Sequence, residues 1–287
     1  MIWFSSLILV LGVAAQEEIS RQLWNTEFIG KRPPGTGSAA KPNYRPAASA
    51  NATAPSASPG EATVLGLTLW RVRPPRPADT AGTRLLVLES SSNNASEQVP
   101  ERMGIDMVLS EGDRVRLSIE AATRGYLYII DREQYSDGTM SDPYVIYPNR
   151  LTRFEGNLLG PGRLIEIPNR DDRPNVFTLR ASRPGQTAEV LSVLITPKPL
   201  AEVKVGSQPM RLDPELYKGW EKQWAGKAER FDLEGGTGQV WTAQEQQAGA
   251  GNGGTLTQSD VPPENLYRIN SRLGSPVLLE VPLQFKK

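Results

Sequence analysis

Apolar and polar residues alternate with a period of two over residues 114–120. The positions facing one way are apolar: Val115, Leu117 and Ile119. The positions facing the other way are polar: Arg114, Arg116, Ser118 and Glu120. This period predicts a half-buried β-strand, with the apolar face on a core and the polar face in solvent.

Other short strand-like runs occur along the chain, and clusters of Gly, Pro, Asn or Asp separate most of them. They cover residues 65–69, 84–88, 126–130, 144–147, 164–167, 176–179 and 190–196. No helical pattern interrupts them between residues 64 and 200, so βαβ units are disfavoured. The pattern predicts a mainly β fold, an antiparallel β-sandwich (Ig-like or similar) over residues 63–200.

The pattern changes after residue 200 to a helical one. Asp213 before Pro214 is typical of a helix N-cap, and Leu216, Trp220 and Trp224 recur every fourth residue. This spacing predicts an amphipathic helix over about 213–229 that packs on the β-domain.

A second short helix and two more strands are predicted beyond it. Thr242 and Glu245 have the spacing of a capping box. Runs at 266–269 and 277–285 are strand-like, and Pro282 inside the last run predicts an edge strand or a break. Residues 201–287 are therefore interpreted as a helical extension that returns a strand to the domain.

The N-terminal residues 1–15 have the features of a signal peptide. An apolar run ends in small residues at Val13 and Ala15, which suits cleavage before Gln16, although no Lys or Arg precedes the run. The run is shorter than the roughly 20 apolar residues that span a bilayer. The prediction is an extracytoplasmic protein, periplasmic or secreted, without a transmembrane anchor after cleavage.

Two further segments separate this peptide from the β-domain. Residues 16–30 are polar but contain Trp24 and Phe28 four residues apart, so they form either a docking motif, for a partner or for the chain's own domain, or an exported N-terminus with scattered apolar residues. Residues 31–62 are rich in Pro, Ala and Ser, which predicts a disordered linker.

Composition excludes several kinds of chemistry. The chain has 287 residues with no Cys and no His, so it has no imidazole base, no thiolate nucleophile, no disulfide and no Cys-bound zinc. Its 32 Lys+Arg balance 32 Asp+Glu, which disfavours nucleic acid as a partner. No cofactor is expected.

Several of these runs resemble a known family. The segments Glu111–Leu117, Gly125–Asp131, Asp137-Gly138, Tyr147–Asn149 and 165–168, followed by Glu189–Leu191 and 196–200, are similar to the bacterial family catalogued as domain of unknown function 4384. The resemblance covers about 110–200. It implies an extracytoplasmic β-domain, and it implies no activity, cofactor or catalytic residue.

Four tyrosines are candidate ligand-binding residues. Tyr126 and Tyr128 lie on one face of a predicted strand, and Tyr144 and Tyr147 could extend that face. If the other face alone meets the core, the rings form an exposed platform for a sugar or peptide. If both faces are buried, the rings lie at the margin of the core with their hydroxyls bonded to water or backbone.

An acidic loop is a candidate metal site. Asp131, Glu133, Asp137 and Asp142 fall close together, and carboxylate oxygens are the ligands that Ca²⁺ prefers. The weak metal candidates are Asp131, Asp137 and Asp142. Asp137-Gly138 is also an ordinary hairpin turn signal, and Arg132 within the cluster would repel a cation.

The prediction for function is an exported, non-enzymatic interaction module of the cell envelope that binds another envelope protein or polymer. One alternative is a carboxylate-dependent hydrolase of envelope glycan, which needs two acids across a cleft, at least one with a raised pKa. A second alternative is a structural envelope component, which an unpaired β-edge would favour.

Overall fold

The computed structural model describes ten stretches of the chain. They are residues 21–47, 62–77, 79, 85–86, 97–149, 156–169, 172–206, 208–249, 254–272 and 274–286. The predicted signal peptide lies outside the described residues. Within them the protein is mainly β, with two mostly antiparallel sheets and few short helices.

The strands of the described residues vary in length from two residues to twelve and follow one another with few helices between them. In chain order they are β1 (Tyr44–Pro46), β2 (Ala62–Arg73), β3 (Leu85–Leu86), β4 (Glu97–Met103), β5 (Leu109–Ser110), β6 (Arg114–Ala121), β7 (Gly125–Tyr135), β8 (Tyr144–Tyr147), β9 (Leu158–Leu159), β10 (Ile165–Ile167), β11 (Phe177–Thr178), β12 (Gln186–Thr196), β13 (Met210–Arg211), β14 (Ala228–Leu233), β15 (Asn265–Asn270) and β16 (Val277–Lys286).

The structure confirms both predicted helix N-caps. Helix α1 spans Pro214–Trp224, and the Asp213 side chain accepts hydrogen bonds from the first-turn backbone N–H groups. Helix α2 spans Ala243–Gly249, and Thr242 and Glu245 form the reciprocal bonds of a capping box. Near the N-terminus, Leu23–Phe28 is a π-helical turn that runs into a 3-10 turn at Ile29–Lys31.

The first sheet is organised around β2. Strand β6 pairs along one side of β2, and β15 and β4 pair along the other. The sheet continues through β14 to β1 on one side and through β4 to the two-residue edge strand β3, and it has nine strands when β10 and β11 are counted. Strands β10 and β11 extend it beyond β6.

The second sheet has seven strands in the order β13-β8-β7-β12-β16-β5, with β9 pairing β7 beside β8. Its central pair, β7 and β12, runs antiparallel over most of both strands. The parallel contact between β16 and β5 is short. Because β7 and β12 face the first sheet on one side and α1 on the other, this sheet is covered on both faces over its centre.

One hydrophobic core joins the two sheets. Leu67 of β2 and Ile119 of β6 belong to the same buried cluster as Ile129 of β7, Val193 of β12 and Val281 of β16. On the opposite face of the second sheet, Trp220 of α1 is buried in a separate cluster, as the amphipathic spacing predicted.

Strand β6 corrects the expectation of a half-buried strand. Arg116, Ser118 and Glu120, on its polar face, are 0%, 3% and 2% exposed. The N-terminal segment, helix α2 and the loop before β15 cover this face. Burial of charge is tolerated because each carboxylate meets a guanidinium there.

We call this buried arrangement the ionic layer. It consists of Arg32–Glu120, Arg116–Glu166 and Arg102–Glu245, with nitrogen–oxygen distances of 2.7, 2.8 and 2.6 Å. Trp70 and Trp241 stack within it at 5.5 Å between ring centroids, and Arg102 lies over the Trp70 ring. These contacts connect distant parts of the chain to the outer face of the first sheet.

The described N-terminal residues differ from the predicted disordered linker. Residues 31–47 contact the domain through a few buried side chains: Arg32 is buried against Glu120, and Tyr44 begins β1, which pairs with β14. Trp24 and Phe28, in the preceding segment, are also buried, so that segment docks on the chain's own domain. The composition of residues 31–62 predicted disorder because it contains no information about an ion pair with a distant strand. Residues 48–61 lie outside the described residues.

The C-terminal third is more than a helical extension. Strand β15 lies in the first sheet between β14 and β2, and β16 pairs with β12 over eight consecutive positions in the second. Pro282 of β16 faces Val190 on one side, and the opposite side of the strand is paired only near its ends within the described residues. Pro282 therefore lies where β16 is paired on one side only, although β16 lies between β12 and β5 and is not the edge strand of the sheet.

Every helix in the described stretches is too short or too polar to cross a bilayer.

Candidate functional site

An open cavity of about 380 Å³ lies at one end of the second sheet. We call it the acidic pocket; its lining residues are Asp131, Glu133, Ser141, Asp142 and Tyr144. Three of the five carry carboxylates and the other two carry hydroxyls. The cavity falls within the size range of small-ligand sites, but its lining is polar, which is typical of a site for a charged group.

Strand alternation places the first two carboxylates. Asp131 and Glu133 follow Leu127 and Ile129 on the same face of β7, and those apolar residues belong to the core between the sheets. Since side chains on a strand alternate, the core-facing row of β7 continues past the edge of the core as acids. The acidic pocket is therefore the polar end of the interior face.

A tight turn brings the other side of the pocket into place. The N–H of Gly138 donates to the carbonyl oxygen of Tyr135, and Gly138 has a φ of +82°, which favours glycine. The chain returns as β8, in which Tyr144 lies opposite Asp131. Ser141 is held at the pocket by the N–H of Glu133, which donates to its hydroxyl at 2.9 Å.

A fourth acid, Glu189, lies behind the lining. It lies on β12 directly opposite Glu133 in the β7–β12 register. The Asp131 and Glu189 carboxyls share a hydrogen bond, and the Gln186 side-chain amide donates to Glu189 at 2.7 Å. A hydrogen bond between two carboxyls requires that one of them holds a proton.

The pKa values of this pair follow from its burial. Burial, and after it the neighbouring Asp131 charge, raise the pKa of Glu189 from 4.5 to about 9. Burial raises the pKa of Asp131 from 3.8 to about 6, opposed by the hydrogen bond from Glu189. Both pKa values are raised, so near neutral pH the Asp131–Glu189 pair holds one proton between its two carboxyls.

Glu133 is held by hydroxyl groups. Ser182 donates to it at 2.5 Å, and Tyr135 also donates to the same oxygen. The Arg183 guanidinium lies over the Tyr135 ring at 3.5 Å. Hydroxyl donors orient a carboxylate without neutralising it, so the negative charge of Glu133 remains in the pocket.

Asp142 lies at the outer rim of the pocket. Arg211 of β13 donates to it at 2.6 Å, and both side chains are largely exposed. No Lys or Arg belongs to the described lining. An exposed ion pair in water contributes little, so this contact leaves the interior of the pocket negative.

The structure separates the four candidate tyrosines. Tyr144 lines the acidic pocket and is 38% exposed. Tyr128 is buried beneath α1, and its hydroxyl accepts the N–H of Leu200. Tyr126 packs against the same cluster, whereas Tyr147 lies in the core between the sheets and donates to a backbone oxygen. The four rings therefore do not form an exposed platform.

The structure also separates the three metal candidates. Asp131 and Asp142 both line the acidic pocket, but Asp137 lies in the exposed turn, where it accepts hydrogen bonds from Thr139. Within the described stretches, no group of three or more acidic side chains is placed to hold a metal ion. The turn interpretation of Asp137-Gly138 agrees with this geometry.

Sequence reasoning missed Glu189 and Ser141. Ser141 lies in the acidic loop, but a serine between acids carries no signal of its own. Glu189 is 56 residues beyond Glu133 and becomes its neighbour only through the β7–β12 register. A weak signal existed, because Glu189 precedes a strongly apolar run and a charged residue there is expected at the edge of a core.

Comparisons with known proteins give no relative for this chain. No family model, curated protein or solved structure matches it.

Proposed function

We propose that the protein is an exported, non-enzymatic binding module of the bacterial cell envelope and that the acidic pocket is its ligand site. One observation carries the proposal: an open cavity of about 380 Å³ is lined by three carboxylates, of which Asp131 and Glu133 lie on β7. Groups held on strands keep a fixed geometry, which favours recognition of a partner.

The fold supports a module of this kind. We propose an antiparallel β-sandwich of Ig-like type, because the two sheets share one core and strands are mostly joined antiparallel. Binding sites on such domains lie at the ends of the sandwich, on loops and strand termini. The acidic pocket has this position. Export remains an inference from the apolar run at residues 1–15.

Hydrolysis of glycan is a weaker proposal on this geometry. The two acids with raised pKa at this site, Asp131 and Glu189, share a hydrogen bond. Glycosidase carboxyls lie roughly 5–10 Å apart, on either side of the bond to be cleaved. Glu189 also lies behind the lining, where it would not reach a substrate in the pocket. The pair suits proton sharing better than acid–base attack on a sugar.

Assembly through a strand edge is weaker as well. The unpaired middle of β16 contains Pro282, which has no N–H to offer to a new strand, and the neighbouring Glu280 and Gln284 are exposed. Proline and charge on an edge strand oppose pairing with another chain. Binding of a partner at the acidic pocket is therefore a better proposal than assembly through a strand edge.

A sedimentation assay with bacterial envelope fractions tests this function. Tyr144→Ala removes the exposed ring at the pocket, and Val108→Ala, an exposed apolar residue elsewhere, is its matched control. We expect the wild-type protein and the control to co-sediment with one envelope fraction and Tyr144→Ala to lose this binding. Absence of binding by the wild type, or equal binding by all three proteins, would contradict the proposal.

A further inference from the structure

The described lining of the acidic pocket contains three carboxylates and no Lys or Arg, and the ion pair of Asp142 with Arg211 lies at its exposed rim. In the described part of the chain, no amide, hydroxyl or guanidinium group donates to Asp131 Oδ1 or Glu189 Oε2, although both atoms are buried. A buried carboxylate oxygen without a donor is costly. The shared proton is what compensates the pair in the free protein.

The pocket is open where Asp131 lies, so an external group can take over that compensation. Asp131, Glu133 and Asp142 all line the cavity. An ammonium or guanidinium group placed among them would donate hydrogen bonds to the carboxylates, which would also attract its positive charge. Charge-assisted bonds of this type are stronger than bonds between neutral groups.

The shape of the pocket favours an organic cation over a bare metal ion. A cavity of about 380 Å³ is larger than a metal needs, since Ca²⁺ ligands must converge to roughly 2.3–2.6 Å. Tyr144 adds an accessible aromatic ring to the lining. Ammonium and guanidinium groups bind favourably to such rings as well as to carboxylates.

We infer that the acidic pocket binds the ammonium or guanidinium end of a basic side chain presented by a partner protein. This inference rests on the proposed function, since it names the chemistry of the ligand at the same site. The cation lies between Asp131, Glu133 and Asp142, with its aliphatic stem against Tyr144. Its charge replaces that of the shared proton, so binding releases a proton from the Asp131–Glu189 pair.

Calorimetric titration with small probes tests this inference directly. The probes are n-butylammonium and n-butylguanidinium, which distinguish lysine-like from arginine-like ligands, with butyrate and calcium chloride as comparisons. The proteins are the wild type, Asp131→Asn and Asp137→Asn. The last is a matched control, because it makes the same change in the exposed turn outside the pocket.

We expect at least one organic cation to bind saturably to the wild type and to Asp137→Asn. Asp131→Asn should weaken it by about tenfold, the loss that follows from removing one charge-assisted contact. Repeating the titration in two buffers of different ionisation enthalpy should show proton release for the wild type and less for Asp131→Asn. Butyrate should not bind.

Three results would overturn the inference: neither organic cation binds, calcium alone binds with the same dependence on Asp131, or Asp131→Asn and Asp137→Asn behave alike. If Asp131→Asn does not fold, as judged by near-UV circular dichroism, Glu133→Gln replaces it with the same expectation. Envelope binding that depends on Tyr144 without cation binding would refute this inference and leave the proposed function standing. Cation binding without envelope binding would support this inference about the pocket and refute the proposed function.

Discussion

The carboxylates of the ionic layer and the Asp131–Glu189 pair at the acidic pocket are satisfied differently. In the ionic layer, Glu120, Glu166 and Glu245 each meet a buried guanidinium within 3 Å. In the acidic pocket, Asp131 and Glu189 share a proton instead. The first arrangement is complete within the chain, so we assign it to structure. The second is completed by a proton that an outside cation can replace, so we assign it to binding.

The largest expected effect is in the ionic layer. Arg116→Met should lower the free energy of unfolding by about 3–5 kcal/mol, because it removes the guanidinium that donates to the buried Glu166 carboxylate at 2.8 Å. Chemical denaturation measures the change. The double variant Arg116→Met/Glu166→Met removes both charges and should recover most of the loss. If the double variant is as unstable as the single one, packing and not charge pairing explains the effect.

A smaller effect, of opposite sign, is expected behind the pocket. Glu189→Gln should stabilise the protein by on the order of 1–3 kcal/mol near pH 8. The folded pKa of Glu189 is raised from 4.5 to about 9, so the folded state binds more protons than the unfolded state in this range, and stability falls as pH rises through it. The amide can donate to Asp131 at any pH.

Denaturation at several pH values measures this difference. Glu189→Gln and the wild type should differ least at about pH 4.5 and increasingly above it. The control is Asp137→Asn, which should keep the wild-type dependence of stability on pH because Asp137 is exposed in the turn. Gln186→Glu would not serve, since it adds a charge beside the pair. Parallel profiles for Glu189→Gln and the wild type would contradict a shared proton.

Cation affinity should itself depend on pH. The groups facing Asp131 are Glu133 on the same strand, Glu189 on β12, and Asp142 and Tyr144 on the β8 side. Because the pKa of Asp131 is about 6, its carboxyl loses a proton between about pH 5 and about pH 7, and organic-cation affinity should rise by about tenfold over this range. Titrations with n-butylammonium or n-butylguanidinium at each pH measure it, and Asp131→Asn should flatten the rise.

The smallest effect is expected at the rim. Arg211→Gln should strengthen cation binding by about twofold, because it frees the Asp142 carboxylate from an exposed ion pair that salt already screens. The same titration measures it, with Lys218→Gln on α1 as a control of equal charge change. Weaker binding in Arg211→Gln would show that Arg211 positions Asp142 instead of competing for it.

Local patterns predicted much of the fold. The period-two runs identified most strands of both sheets, and the Asp213 and Thr242 signals located both helix starts. These features depend on neighbours in sequence, so the sequence contains the information they need. The acidic loop around Asp131 and Asp142 was recognised for the same reason, although as a candidate metal site.

Long-range pairing accounts for the rest. Burial of the polar face of β6 depends on Arg32, 88 residues away from Glu120, and on helix α2. The tyrosine platform failed because α1 covers Tyr128, and no local pattern shows which face of a strand a distant helix will cover. Glu189 joins the pocket only by register with β7.

The sequence by itself determined the β character of this protein, its helix caps, and the absence of imidazole and thiol chemistry, because alternation, capping and composition act over a few residues or none. Only the tertiary structure decided which buried carboxylates are neutralised. That outcome depends on whether a guanidinium arrives from a distant segment: it does at Glu120, Glu166 and Glu245, and at Asp131 and Glu189 a proton takes its place. Charge compensation in a low-dielectric interior is decided by distance in space, and sequence separation carries little information about it.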